Sequence, residues 1–317
     1  MLAANRTTLR PDDALEVRGL HTRTRRVLVG AALAGIAVAL VGSAGAGAAR
    51  TAVRLAPAYD AKVAAEVPAA IRKSGTVVVA ADASYAPNEF IATDGHTVVG
   101  MDADLAHALG TVLGLKFNVE NVTFDAIIPG LQAGKYDVGM SSFTDTLARQ
   151  KVVTFVTYFS AGTSFYVKAQ GGPTIESLAD LCGRTVAVET GTTEQSDAQG
   201  QNAKCKKEGK PGVTVGSYPT QNGANLAIAS GRAQVGMADS PVAAYQVKQS
   251  KGQFKLVGKA YGTAPYGIAL PKTSGMAEPI LAALKVLISD GSYTSILRKW
   301  GIEAGAITHP VINGATS

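Results

Sequence analysis

The chain has 317 residues, 46% of them hydrophobic and 17% charged, ample for two globular lobes of ordinary size. Its formal charge is +6, but residues 1–48 hold six arginines against three acids, so half of the excess sits in the leader. Elsewhere the basic residues are scattered and few aromatics interleave with them, a pattern that gives no nucleic-acid-binding stripe.

In chain order, Arg23, Arg25 and Arg26 precede an uncharged run from Val27 to Ala49 that closes on small residues. Residues 1–48 therefore read as a secretory signal, cleaved near Ala46–Ala49. An uncleaved membrane anchor stays open as the alternative, since the run is just long enough to span. No cysteine lies near the cleavage region, which excludes a lipoprotein anchor there. The expected location is the periplasm, or the cell surface and exterior. Residues 49–74 read as a mobile, alanine-rich lead-in.

Thr76 to Ala80 is a continuous apolar strand, as in a buried parallel sheet. A helix is predicted over 102–113 with Asp102 as its N-cap, a strand over 117–120, and a helix from Asp125 to Ala133 stopped by Gly134. Val138-Gly139-Met140 is a short strand. Thr163 to Val167 is another, with a boundary at Gln170 to Pro173. Strands follow at 185–188, 213–217, 234–237 and 254–257, with helices opening at Gly191-Thr192-Thr193 and over 222–230. Residues 260–265 read as a second boundary, 266–270 as a strand, and 276–289 and 293–300 as closing helices. Strands alternating with helices mean an α/β fold with mainly parallel sheets. The expected layout is lobe 1 over 75–168, lobe 2 over 169–262, and a return to lobe 1 over 263–317, with two crossings and hence a hinge.

One segment is echoed. Gly134-Lys135-Tyr136-Asp137-Val138-Gly139-Met140-Ser141-Ser142 aligns with Gly231-Arg232-Ala233-Gln234-Val235-Gly236-Met237-Ala238-Asp239. In each copy a glycine ends a helix and Val-Gly-Met makes a buried strand. Open α/β sheets bind ligands beyond the carboxyl ends of strands. Those ends carry Ser142 in one copy and Asp239 in the other. The first copy runs on through Thr144 to Arg149, a loop of hydroxyls and then a guanidinium fork, which suits a small zwitterion.

Cys182 and Cys205 are the only cysteines, and in an exported chain the pair suggests a disulfide. Their spacing fits no metal site, and His96, His107 and His309 have no partners at ligand spacing. No cofactor is expected. Gly130 to Lys135 is one residue short of a phosphate loop.

Several motifs now resemble the family 3 solute-binding proteins, the polar amino-acid receptors of ATP-binding-cassette importers. They are Gly100-Met101-Asp102-Ala103-Asp104-Leu105, Phe124 to Leu131, Gly134-Lys135-Tyr136-Asp137, Asp290-Gly291-Ser292-Tyr293 and Lys299-Trp300-Gly301. The resemblance runs from about Val77 to Gly301. It implies a two-lobed, type II periplasmic-binding-protein-like fold. It also implies that Arg149 grips the ligand α-carboxylate, helped by Thr193 at a helix start. Asp239 would pair with the α-ammonium, completed by the Ser142 carbonyl and the Thr144 hydroxyl. Tyr85 and Phe124 would sandwich the ligand side chain, and Asp82 would contact its far end. The partners implied are a small amino acid and the membrane permease of an importer, with the protein a monomer.

Glu189 and Glu194 flank Gly191-Thr192-Thr193, and with Asp82 opposite they favour a polar or cationic L-amino acid: arginine, lysine, ornithine or glutamine. Two readings compete: a periplasmic dehydratase-like enzyme on the same fold, with Glu189 as its candidate acid or base, and a ligand sensor for a membrane kinase.

Overall fold

The computed structural model describes residues 57–315; the leader and the start of the lead-in lie outside them. Residues 57–74, expected as a mobile lead-in, instead carry two short helices. In α1 (Ala61–Ala65) the Asp60 carboxylate accepts from the Lys62 and Val63 amides, and α2 (Ala69–Ser74) ends at Gly75 with φ 69°. Val63 and Val67 are buried in the first lobe's core.

The first lobe starts with β1 (Thr76–Ala81). A three-stranded antiparallel flap follows, of β2 (Ser84–Tyr85), β3 (Glu89–Ile91) and β4 (Val98–Val99). Then come α3 (Met101–Leu113), β5 (Lys116–Asn121), α4 (Phe124–Gln132), β6 (Val138–Gly139) and the single turn α5 (Leu147–Gln150). β1 lies between β5 and β6 and is parallel to both. Leu105, Leu109 and Val112 of α3 bury against Val77, Val79 and Phe117. Asp102 does not cap α3. The N-cap is Gly100, and Asp102 lies buried in the first turn. Only glycine fits there: at φ 133° a Cβ would sit 2.1 Å from the Asn88 carbonyl oxygen.

β7 (Val153–Lys168) leaves this lobe and enters the second, made of β8 (Thr185–Glu189), α6 (Thr193–Lys207), β9 (Thr214–Tyr218), α7 (Gln221–Ser230), β10 (Val235–Asp239) and α8 (Ser240–Gln249). β11 (Phe254–Pro271) runs back, and α9 (Ala277–Ser289) and α10 (Ser292–Trp300) close the first lobe. In the second lobe β8 pairs in parallel with β9 and β10. Its strands bury both faces: Val186 and Val188 face one apolar cluster and Ala187 the other.

The strand order is β5-β1-β6-β11-β7-β10-β8-β9, one ladder through both lobes. β7 and β11 are antiparallel and shared. The segment read as strand, boundary and strand over 254–270 is therefore one strand, and β7 begins ten residues before the predicted 163. The pairing of β11 slips between Val257 and Tyr261 and again before Ala264, at the crossing. Bulges bend a strand without breaking it.

The echo holds in three dimensions. Gly134 and Gly231 are both left-handed at the ends of α4 and α7, with φ 69° and 78°, and each feeds a buried strand. Cys182 and Cys205 form a disulfide, tying the 3-10 turn Leu178–Leu181 to α6 with 5.7 Å between Cα atoms. The architecture is α/β: two lobes, outer strands parallel, joined by two crossings.

Candidate functional site

The carboxyl ends of β1, β6, β8 and β10 converge on one cavity between the lobes. All eight side chains singled out for ligand contact line it: Asp82, Tyr85, Phe124, Ser142, Thr144, Arg149, Thr193 and Asp239.

Arg149 sits on α5, whose N-cap Thr146 accepts from the Arg149 amide at 3.2 Å. One guanidinium nitrogen donates to the Thr144 carbonyl at 2.8 Å, and the other reaches across to the Gly191 carbonyl at 2.9 Å. The group lies 5.3 Å from the Phe124 ring centroid and 5.5 Å from that of Phe143. The two rings stack 4.4 Å apart, a floor that holds a cation by its π faces. Burial lowers the Arg149 pKa from its ordinary value, yet a guanidinium stays charged.

Across the cleft, β10 delivers Asp239 just ahead of α8, where Pro241 follows Ser240. Asp239 holds the N-cap position, but its carboxylate makes no capping bond. It instead accepts from the Tyr85 hydroxyl at 3.0 Å, and that hydroxyl accepts from the Asp239 amide at 3.0 Å. Burial, then the nearby Glu194 charge, pushes the Asp239 carboxyl well up. Thr192 caps α6 by accepting from the Gln195 amide. Thr193 donates to Glu194, which also accepts from Thr163 on β7 at 2.7 Å.

Asp82 follows β1. Its two oxygens accept from the Ser84 amide at 3.0 Å and from the Phe124 amide at 2.9 Å, so it also caps α4. Burial raises its pKa. A further bond crosses the cleft, from the Gln221 amide at the start of α7 to the Ser84 hydroxyl at 3.0 Å.

Glu89 was missed in the sequence. It is fully buried on β3, lines the cavity, and accepts from Ser141 at 3.1 Å and Ser142 at 3.2 Å. Its carboxyl is pushed well up by burial first and then by the charge of Asp102. Asp102 is raised to about 6, chiefly by burial. It accepts from the Ser142 amide at 2.8 Å, which pins Ser142 at φ 50°, an uncommon conformation for a residue with a side chain. A lone glutamate between Asn88 and Phe90 carries no periodicity, so nothing local marks it. Ser141 and Thr192 also line the cavity, each next to a residue already named.

The cavity thus holds one guanidinium and five carboxyl groups, those of Asp82, Glu89, Glu189, Glu194 and Asp239. Among the described residues no three or more His, Cys, Asp or Glu side chains are placed to hold a metal ion. The arrangement can bind an anion at Arg149 and more than one cationic group elsewhere.

The sequence profile of the bacterial extracellular solute-binding proteins, family 3, matches residues 77–303. The arginine-binding protein ArgT of Corynebacterium glutamicum is 36% identical over 253 residues, covering 80% of this chain and 83% of that protein. The glutamine-binding protein GlnH of a Bacillus subtilis ABC transporter is 32% identical over 210 residues, 64% of this chain and 72% of that one. Among solved structures, an ancestral arginine-binding protein bound to glutamine superposes with a TM-score of 0.67 at 37% identity, covering 72% of this chain and 99% of that one. The ancestral amino-acid-binding protein AncCDT-1, a precursor of cyclohexadienyl dehydratase, gives 0.65 at 34% identity, covering 73% and 97%. With the fold, the cleft and a match over most of the folded region in agreement, this chain belongs to family 3 of the bacterial extracellular solute-binding proteins.

Proposed function

We propose that this protein captures a cationic L-amino acid, with L-arginine its ligand, between two closing lobes and presents the closed form to the permease of an ABC importer. One observation carries the reading: a cavity lined by one guanidinium against five carboxyl groups, which an amino acid with a second positive charge complements. Arg149 takes the α-carboxylate with Thr193. Asp239 takes the α-ammonium with the Ser142 carbonyl and the Thr144 hydroxyl. Tyr85 and Phe124 enclose the side chain, whose far end meets Asp82. Arginine and glutamine receptors among the relatives support the class.

The energetics require closure. Micromolar affinity is about 8 kcal/mol. For roughly a dozen heavy atoms that approaches ~0.7 kcal/mol per atom, high on the ligand-efficiency scale. Charge-assisted bonds in a sealed site reach it, at about 1.5–3 kcal/mol each.

The protein acts as a monomeric receptor, exported by its leader with cleavage near Ala46–Ala49. Binding without turnover is the reading the relatives support: those named above are binding proteins, although a dehydratase precursor shares the fold. A thermal-shift panel of the L-amino acids tests this. Arginine should raise the melting temperature most, with lysine and ornithine next. No stabilisation across the panel would sink the reading. Mass spectrometry should recover bound arginine unchanged, and a converted product would favour the dehydratase-like alternative.

A further inference from the structure

Two carboxyl groups that line the cavity meet there, one from each lobe. Asp82 follows β1 and Glu189 ends β8. The two are in side-chain hydrogen-bonding contact, and both are buried. Two carboxyl groups cannot share a hydrogen bond unless one keeps its proton. Asp82 already accepts from two backbone amides, which favours its anionic form. Glu189 is the proton carrier: burial, then the charge of Asp82, pushes its pKa well up, and its Oε1 is a buried oxygen with no partner.

We propose that the Asp82–Glu189 pair is a one-proton selector between two classes of side chain. It takes a carboxamide when it carries the proton and a guanidinium when it has lost it. This rests on the amino-acid reading of the cavity above. The hydrogen-bond inventory fixes the match. With one proton, the Glu189 O–H donates to an amide carbonyl while the amide NH2 donates to the Asp82 carboxylate. With none, the two carboxylates accept N–H bonds from the planar guanidinium fork. On arginine binding the Glu189 O–H bond breaks and its proton leaves to the buffer. On glutamine binding the proton stays.

The pair has charged neighbours on every side. Glu89 faces Asp82, with Asp102 behind Glu89. Glu194, Tyr85 and Tyr166 face Glu189. Arg149 and Asp239 stand at the amino-acid head. Arginine and glutamine present the same α-ammonium and α-carboxylate to that head. The ratio of their affinities therefore isolates the side-chain end.

Isothermal titration calorimetry of the mature protein with L-arginine and L-glutamine, from pH 5.5 to 8.5 in buffers of unlike ionisation heat, tests the proposal. Arginine should release about one proton, and glutamine none. Arginine affinity relative to glutamine should climb about tenfold per pH unit while free Glu189 stays protonated. In Glu189→Gln the proton release and the pH dependence of the ratio should both vanish. Arginine binding without proton release, or a ratio that is flat with pH, overturns the selector and leaves the receptor reading standing. Failure of both amino acids to bind at any pH overturns both.

Discussion

In the proposed reading the ligand head depends on Arg149, whose surroundings suit a planar fork. The guanidinium already spans two carbonyls from different lobes while lying over two rings. Arg149→Lys keeps the charge but loses the parallel bonds and the flat face. Calorimetry should show arginine binding weakened roughly tenfold to a hundredfold, the value of one charge-assisted bond. The Glu89–Asp102 pair sets a pH dependence of stability. Asp102 is raised from its ordinary 3.8 to about 6, so between those values the folded state binds more protons than the unfolded. Stability therefore falls as pH rises through that window, by on the order of 3 kcal/mol. Chemical denaturation of the ligand-free protein from pH 4 to 7 should show the fall, and Asp102→Asn should flatten it. Of the eight residues named from sequence, Ser142, Thr144, Arg149 and Asp239 were marked by the echoed strand ends and the loop after the first, while Asp82, Tyr85, Phe124 and Thr193 came from the family resemblance; all eight line the cavity. Glu89 escaped because its burial comes from a flap with no pattern of its own.

At the scale of elements, the turn chemistry was legible and the long strands were not. Gly134 and Gly231 announced two helix ends, and the strands after them followed. β11 was split because its middle, Gly258 to Pro265, neither alternates nor runs apolar. Only its pairing with β7, about one hundred residues earlier in the chain, makes it a strand. The second copy of the echo has a tighter fit than its sequence suggests. A Cβ on Gly236 would fall 2.2 Å from the Tyr166 ring. Gly236→Ala should lower stability by about 1–3 kcal/mol in urea unfolding, the usual cost of overpacking. The disulfide lies apart from the cavity. Replacing Cys182 and Cys205 together by serine should lower stability by roughly 3 kcal/mol in the chain-entropy model. Arginine affinity should stay within about twofold on the same scale of measurement.

For the whole molecule, besides the Asp82–Glu189 contact, three residue pairs hydrogen-bond across the cleft without any ligand: Arg149 with Gly191, Tyr85 with Asp239 through two bonds, and Gln221 with Ser84. The first two involve groups that the ligand would engage. The third does not, so it tunes the closed state by itself. Ser84→Ala should leave every ligand contact in place yet favour the open form. Arginine affinity should drop about threefold to tenfold, as for the loss of one net hydrogen bond. Small-angle scattering of the ligand-free variant should give a larger radius of gyration than the parent.

The strand order also governs when the molecule can come together. β11 is inserted between β6 and β7, so the first lobe has a gap in its sheet until residue 271 has been made. A nascent chain shorter than that has neither a closed core nor its closing helices, and non-local pairings of this kind form slowly. Its own topology keeps the chain open until late in synthesis, and makes the arrival of one late strand the event that commits it to a shape.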